Sequence, residues 1–281
     1  MKYRISILKT VLIALIGLLN CSALLMCADP VPEKNMTIII PSYNNALWYK
    51  QNLNSVLSQH YSNLNVIYID DCSPDNTGDL VEEYIKNYDT NNRITVIKNS
   101  TRRGAMANIY NAVHSCPDNT IILTLDGDDW FAHDNVLKIV NNYYQDPDVW
   151  MTYGQYQVCP GDSIGHCQDI PQDIIKNNAY RDYPWVTSHL RTFYARLFKA
   201  IKKEDLYYNN DFAPMAWDIA FMYPMLEMCG GRFKFIPEIL YIYNRLNQIN
   251  DDKINRPLQL SINIYLLKKQ RYTSLKPILA N

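Results

Sequence analysis

Three aspartates surround one glycine at the end of an apolar run, in the segment Leu123-Thr-Leu-Asp-Gly-Asp-Asp129. Residues 121–125 predict a buried strand, so Asp126 and Asp128 emerge where that strand ends. Gly127 between them lets the backbone approach a ligand closely. Carboxylate oxygens there suit Mg²⁺ or Mn²⁺ that bridges phosphate oxygens. The spacing predicts a divalent metal site, although an acidic strand end also serves as a turn or a helix cap.

The strand before this motif is one of several that alternate with amphipathic helices. Strands are predicted at 37–40, 66–70, 94–98 and 121–125, and helices at 47–57, 80–88 and 105–113. This alternation predicts an α/β fold with a mostly parallel sheet flanked by helices, followed by a less regular region after residue 150. Polar residues follow each strand, at 42–45, 70–73, 99–104 and 126–129. Because ligands bind outside the carboxyl ends of such strands, four strand ends point to one crevice.

Composition limits the class of partner. The chain has 281 residues, 48% apolar, and a formal net charge of −1. Without a polybasic field, nucleic acid is not expected as a partner. Five of the seven cysteines lie beyond residue 30 and lack the CxxC spacing of a zinc site. Cys159 and Cys167 flank a short loop, where either a disulfide or two free buried thiols would fit.

Residues 1–29 read as a signal peptide or an N-terminal membrane anchor. Basic residues precede a mostly apolar stretch at 11–28, and Ala28 offers a small residue at a cleavage point. The stretch is nearly long enough to span a bilayer, so membrane association through residues 5–28 is the alternative to cleavage. In either case we expect the domain after residue 30 to lie across the membrane from the cytoplasm. It would be either in the secretory pathway or anchored to the membrane.

Three segments follow one another along the chain: Ile40-Pro-Ser-Tyr-Asn44, Asp70-Asp-Cys-Ser-Pro-Asp-Asn-Thr77 and Asp126-Gly-Asp-Asp129. Their order and spacing resemble family 2 glycosyltransferases of the GT-A fold, which is Rossmann-like. Asn45 departs from the pattern, because many members have Glu there. The resemblance implies a domain over 36–250, divided into a nucleotide-sugar half (36–130) and a smaller acceptor half (150–250), with a helical tail at 251–281.

The resemblance also implies a site for a nucleotide-sugar donor. Pro41 and Tyr43 would line the nucleoside. Asp70 or Asp71 would accept a hydrogen bond from the ring N–H of the base. For Asp71, a contact with the backbone amides of the turn at 73–76 is the alternative.

The same resemblance assigns residues to the diphosphate of the donor. Arg103 would approach the base or a phosphate with its guanidinium, whereas Arg102 is expected at the solvent. Asp126 would contact the ribose or the metal, and Asp128 would ligate the metal, Mn²⁺ or Mg²⁺, that bridges the diphosphate. The metal would neutralise charge that develops on the leaving group.

Transfer to a hydroxyl also needs a base. Asp218 resembles the acidic residue that family members place at the start of a helix beside the acceptor, although a plain helix cap is the alternative. Glu227 is the weaker candidate. The segments 191–193 and 244–251 resemble acceptor-side segments, and could equally be surface loops.

Two pairs of ring side chains are less informative. Trp185 and Trp217 could stack on a sugar ring or pack in the core. His166 and His189 lack the spacing of a metal pair, so we interpret both as structural.

These residues together predict an inverting glycosyltransferase of the hexosyltransferase type. It would use a nucleotide-diphosphate donor, with uridine as the expected base, one divalent cation and an Asp base. The acceptor would be a hydroxyl of a glycan, lipid or protein. A nucleotidyltransferase and an inactive sugar-nucleotide or glycan-binding module are the alternatives.

Overall fold

The computed structural model describes residues 31–276, apart from the side chain of Asp252. This part of the chain contains ten strands: β1 Met36–Ser42, β2 Leu64–Asp70, β3 Ile94–Lys98, β4 Ile121–Thr124, β5 Trp130–Phe131, β6 Met151–Cys159, β7 Arg191–Tyr194, β8 Tyr207–Tyr208, β9 Asp211–Phe212 and β10 Phe233–Asn244. It also contains eight α-helices: α1 Tyr49–Leu57, α2 Thr77–Tyr88, α3 Ala105–Ser115, α4 Val136–Tyr143, α5 Gln172–Lys176, α6 Ala195–Lys199, α7 Trp217–Cys229 and α8 Asp251–Leu267.

Eight of these strands form one sheet in the order β3-β2-β1-β4-β7-β6-β10-β5. The first four strands of that order run parallel. β1 is buried along its whole length, and its residues alternate between two cores: Ile38 and Ile40 face one, and Ile39 faces the other. Helices therefore cover both faces of the sheet, with α1 and α2 on the first core and α3 and α7 on the second. The predicted α/β class is confirmed.

The chain after residue 150 joins the same sheet, which the sequence pattern did not reveal. β7 runs antiparallel to both β4 and β6, and β10 runs parallel to β6. The two apolar runs at 233–236 and 239–243 belong to one strand, β10, whose register shifts between Ile236 and Tyr241. Pro237 lies at this irregularity, where a residue without an N–H is tolerated.

Helix α7 contains a proline in its interior. Such a proline usually kinks or ends a helix, yet α7 remains a single helix from Trp217 to Cys229 across Pro224. Every residue from Ile219 to Cys229 is buried, so packing on all sides compensates for the hydrogen bond that proline removes. The helix ends at Gly230, whose φ of +57° gives the left-handed C-terminal cap expected there.

Glu227 of α7 is part of a buried ion pair. Its Oε1 accepts a 2.6 Å hydrogen bond from Arg181 Nε, and its Oε2 accepts one of 2.9 Å from Nη2 of the same guanidinium. Oε2 also accepts the backbone N–H of Tyr272, which ties the residues after α8 to α7. Because both carboxylate oxygens are occupied in the core, Glu227 is excluded as the alternative base.

Breaking this pair should destabilise the fold. In Glu227→Gln the Arg181 charge keeps no buried counter-charge, so we expect the free energy of unfolding to fall by about 3–5 kcal/mol in urea titrations. The exposed pair Lys199–Asp118 provides the control, since Asp118→Asn should cost no more than about 1 kcal/mol. Equal losses in the two variants would contradict the assignment.

From Glu33 onward, the described residues form one compact unit. The signal peptide or anchor predicted within residues 1–29 lies outside the described residues. Between residues 31 and 276, no helix combines the length and the apolar character needed to cross a bilayer. The five cysteines of the same part are free, so the disulfide alternative for Cys159 and Cys167 is not formed there.

Candidate active site

A cleft of about 400 Å³ opens at the carboxyl ends of β1 to β4. All four predicted strand ends contribute to it. Six of the predicted site residues line the cleft: Pro41, Tyr43, Asp71, Asp126, Asp128 and Asp218. Asp70 and Arg103 are not part of the lining. The remaining walls come from the start of β7, the start of α7, and the loop between β10 and α8.

One wall of the cleft carries a stacked pair of side chains that the sequence did not predict, although Arg102 is exposed as expected. The guanidinium of Arg102 lies 3.8 Å from the ring centroid of Tyr43, and Arg102 lines the cleft. Arg103 instead contributes its backbone N–H, which donates to Asp71. Neighbouring loop residues point in different directions, and sequence alone carries no signal for which one faces inward.

Asp71 organises the loop that precedes α3. Its Oδ1 accepts hydrogen bonds from the Asn99 side chain at 2.8 Å and the Arg103 amide at 2.9 Å, and its Oδ2 accepts the Gly104 amide at 2.8 Å. Burial alone would raise the pKa of Asp71, but its hydrogen bonds hold the pKa below the usual value. A carboxylate accepts about four such bonds, so one position is left for a ligand donor.

The turn contact considered for Asp71 belongs to its neighbour. Asp70 Oδ2 accepts the backbone N–H of Ser73 at 3.3 Å. A Cβ added at Gly78 would lie 2.9 Å from that oxygen, so Asp70 packs against the first turn of α2. Of the two candidates for contact with the base, only Asp71 faces the cleft.

Asp126 and Asp128 lie in the cleft under mutual repulsion. Burial raises the pKa of Asp126 to about 7, with Arg191 opposing this shift and the carboxylates of Asp128 and Asp218 adding to it. Burial also raises the pKa of Asp128, against a hydrogen bond from the side chain of Asn247. The cleft thus brings together several carboxylate oxygens with too little positive charge nearby to balance them. A divalent cation bound there would offset their repulsion.

Asp129 holds the motif in place. Its Oδ2 accepts a 2.6 Å hydrogen bond from the Tyr241 hydroxyl, and its Oδ1 accepts the Asn244 amide at 2.7 Å. The Asn244 side chain donates to the backbone carbonyl of Asp128, and the Asn247 side chain donates to Asp128 Oδ2 at 2.8 Å. β10 and the loop after it therefore fix both the backbone and one carboxylate of the motif.

His189, interpreted from sequence as structural, also reaches this cluster. It offers a ring nitrogen that lies within 4.8 Å of carboxylate oxygens of Asp126 and Asp129. The ring stacks on Tyr241 with centroids 4.4 Å apart. Burial lowers its pKa well below the usual value, so the imidazole is neutral, the form that binds a metal. Its position in a loop before β7 left no spacing signal in the sequence.

Gly127 permits a close approach between two protein loops, and it also lines the cleft. A Cβ there would lie 2.6 Å from Ser42 Oγ and 2.7 Å from Asn45 Nδ2. Neither atom moves freely, because Ser42 accepts hydrogen bonds from Asn45 and from the Tyr68 hydroxyl. The glycine thus allows the motif to seat on the end of β1, where its N–H donates to the Pro41 carbonyl.

Gly127→Ala should displace the motif. We expect a loss of about 1–3 kcal/mol in the free energy of unfolding, as for overpacked sites, and a lower catalytic rate because the neighbouring carboxylates move. Urea titration and turnover measurements test both. Gly154→Ala is the matched control, since its Cβ would meet its nearest neighbour at 3.4 Å. A Gly127→Ala variant as stable and active as the control would refute the steric explanation.

The predicted base lies on the opposite wall of the cleft. Asp218 is in the first turn of α7, and its Oδ1 accepts the amide of Ile219 at 2.9 Å. Its Oδ2 lies 3.5 Å from Nη1 of Arg191. Asp218 Oδ1 thus satisfies one free amide in the first turn of the helix, as a capping carboxylate does, while the side chain remains 25% exposed, toward the cleft. This placement allows contact with a bound hydroxyl.

Comparisons with known sequences bear on this geometry. Residues 37–203 match the family model described as Glycosyl transferase family 2. The chain is 24% identical over 223 residues to Glycosyltransferase GlyG of Streptococcus pneumoniae, covering 75% of this chain and 70% of GlyG. It is 30% identical over 148 residues to the UDP-Glc:alpha-D-GlcNAc-diphosphoundecaprenol beta-1,3-glucosyltransferase WfgD of Escherichia coli, covering 52% of this chain. The match spans 55% of WfgD, about half its length.

Solved structures with a similar fold include S. aureus TarS 1-349 in complex with UDP-GlcNAc. Its TM-score is 0.56 at 18% identity, covering 75% of this chain and 58% of that chain. A mannosyltransferase, PcManGT from Pyrobaculum calidifontis in complex with GDP-Man and Mn²⁺, has a TM-score of 0.50 at 20% identity, covering 76% of this chain and 58% of that chain. At these identities the likeness concerns the fold, and it agrees with the fold class predicted from the sequence.

Proposed function

Because the chain belongs to glycosyl transferase family 2, we propose that it transfers a sugar, with inversion, from a nucleoside diphosphate donor to an acceptor hydroxyl. Membership confirms the resemblance noted in the sequence. The observation that carries the proposal is the gathering of Asp126, Asp128 and Asp218 along one cleft, with Tyr43 and Asp71 on the nucleoside side.

We propose a uridine diphosphate sugar as the donor. The name of WfgD specifies UDP-Glc for that protein, which is 30% identical to this chain over the matched residues. In this chain, Asp71 keeps one acceptor position for a ring N–H such as the one that uracil carries. Tyr43 offers a ring face nearby, on which a base could stack.

Asp126 and Asp128 would hold Mn²⁺ or Mg²⁺. His189, whose ring nitrogen lies within 4.8 Å of carboxylate oxygens of Asp126 and Asp129, is a candidate further ligand. When bound, the cation supplies positive charge to the diphosphate as it departs. Of the two ions, Mn²⁺ accepts an imidazole nitrogen more readily, because Mg²⁺ prefers oxygen ligands.

Asp218 would act as the general base. Its carboxylate takes the proton of the acceptor hydroxyl while the oxygen attacks the anomeric carbon. The new C–O bond forms as the bond from that carbon to the diphosphate oxygen breaks, and the electron pair leaves with the nucleoside diphosphate. A single in-line displacement turns the anomeric centre over, which gives inversion.

The acceptor is a hydroxyl of a glycan, lipid or protein. The name of WfgD specifies a lipid-linked sugar diphosphate acceptor for that protein, so lipid-linked glycans are the first acceptors to test. Membrane association through residues 5–28, which we keep as a proposal from the sequence, would bring the enzyme to such an acceptor.

A donor panel tests the proposal. The purified full-length chain is incubated with UDP-glucose, UDP-galactose, UDP-N-acetylglucosamine and GDP-mannose, with Mn²⁺, with Mg²⁺ or with EDTA. Release of a nucleoside diphosphate that requires metal supports the transferase and identifies the donor. Release of pyrophosphate, tested with the corresponding nucleoside triphosphates and sugar phosphates, favours a nucleotidyltransferase. Donor binding without any release favours the inactive binding module.

A further inference from the structure

Arg191 is a fully buried cation between the two sides of the active site. It begins β7, and only 1% of its side chain is exposed. Its Nη1 lies 3.5 Å from Asp218 Oδ2, and its Nη2 lies 3.7 Å from Asp126 Oδ2. The same guanidinium therefore contacts the candidate base and the candidate metal ligand, which belong to different elements of the fold.

Two further contacts fix the orientation of this guanidinium. Nε donates to Thr124 Oγ1 at 3.3 Å, at the last residue of β4. The carbon at the centre of the guanidinium lies 4.8 Å from the ring centroid of Trp217, the residue next to Asp218. A planar group held on one edge and one face has little rotational freedom, so its remaining donors point in set directions.

Asp218 is consequently held from both sides. Its Oδ1 accepts the amide of the following residue, and its Oδ2 faces Arg191. A carboxylate that acts as a base must present its lone pair to the incoming hydroxyl within a narrow range of angles. Nothing else among the described side chains forms an ion pair with Asp218, so Arg191 sets that orientation.

We propose that Arg191 is a positioning residue that acts through Asp218, holding the base in the orientation that receives the acceptor proton. The inference rests on the proposed function. It differs from a purely structural role, in which Arg191 would anchor α7 to the sheet and its loss would weaken folding, donor binding and catalysis together.

The test is a double-mutant cycle with Arg191→Gln, Asp218→Asn and the combined variant, each measured for kcat, donor KM and Mn²⁺ dissociation constant. We expect Arg191→Gln to lower kcat by about 10²-fold, within the range for a general base out of position, with donor KM changed by less than about threefold. The Mn²⁺ dissociation constant reports separately on the contact between Arg191 and Asp126. The combined variant should be no slower than Asp218→Asn alone, because the residue through which Arg191 acts is already lost.

Two further variants show whether a fall in kcat results only from a loss of folding. Arg191→Lys keeps the charge and should recover at least about tenfold of the kcat lost in Arg191→Gln, though not all of it, because an ammonium lacks the fork of donors. Arg181→Lys alters a second buried arginine, which is paired with Glu227 away from the cleft, and should leave kcat within about twofold.

The outcomes separate the two hypotheses. Losses that multiply in the combined variant, or a donor KM that rises in step with the fall in kcat, would overturn the positioning role of Arg191. A fully active Asp218→Asn variant would instead contradict the proposed base, and wild-type chain without turnover on any donor would contradict the proposed function.

Discussion

Asp218→Asn is expected to lower kcat for sugar transfer by about 10³-fold, the middle of the range for a positioned general base. The amide keeps the size and the Ile219 contact of the carboxylate but cannot take the acceptor proton. Because Asp218 lies across the cleft from the nucleoside side, donor KM should change by less than about threefold. Initial rates of transfer at saturating donor and acceptor measure both quantities.

The matched control is Asp182→Asn, which alters an exposed aspartate paired with Arg271 outside the cleft. It should leave kcat unchanged. Hydrolysis of the donor by water adds a second readout, since water as acceptor depends less on an oriented base than a sugar hydroxyl does. Asp218→Asn that retains more than a tenth of wild-type kcat would identify this residue as a helix-terminal structural group.

Asp128→Ala is expected to abolish most metal-dependent turnover, by roughly 10³-fold or more, because a bound Lewis acid supplies several kcal/mol to departure of the diphosphate. The variant also removes one of the cleft carboxylates whose repulsion a cation would offset. Mn²⁺ binding, followed by electron paramagnetic resonance of the free ion, should weaken by at least about tenfold. The spectroscopic readout is independent of catalysis.

Asp134→Ala serves as its control, since this exposed aspartate follows the motif closely and pairs only with His60 among the described ion pairs. Mn²⁺ affinity should be unaffected there. If Asp128→Ala bound Mn²⁺ as tightly as wild type, the ion would depend on the group formed by Asp126, Asp129 and His189, and the role assigned to Asp128 would be wrong.

Local periodicity was sufficient for the first half of the fold. β3 begins and ends at its predicted residues, and the strands and helices before it differ by only a few positions. The second half resisted prediction because its strands carry weak local signals. β7 has four residues and begins with the charge of Arg191, so it is a strand only through its partners β4 and β6.

The site divides in the same way. Residues at the ends of parallel strands, such as Tyr43, Asp71 and Asp126, could be placed from sequence because topology alone brings them together. Arg191 and Asn247 lie in the two segments, 191–193 and 244–251, that resembled acceptor-side segments, and both line the cleft. Their contacts with the aspartates could not be predicted, since each reaches the cluster across many residues of the chain. The sequence could not distinguish Asp70 from Asp71 as the residue that faces the cleft, because adjacent residues in a turn face opposite sides of the chain.

The hydrogen bonds that hold the Asp129 carboxylate limit how chimeric enzymes can be built. The family match ends at residue 203, yet Tyr241 and Asn244, which bind the Asp129 carboxylate, lie beyond it. If the segments after this boundary were exchanged between two relatives, the candidate base would come from one protein and the candidate metal motif from the other. The motif would then lose the two residues of its own protein that bind Asp129. We therefore expect such a chimera to be active only where both parent proteins have the same residues at positions 241 and 244. These two positions are a criterion for choosing parent proteins when acceptor specificity is engineered.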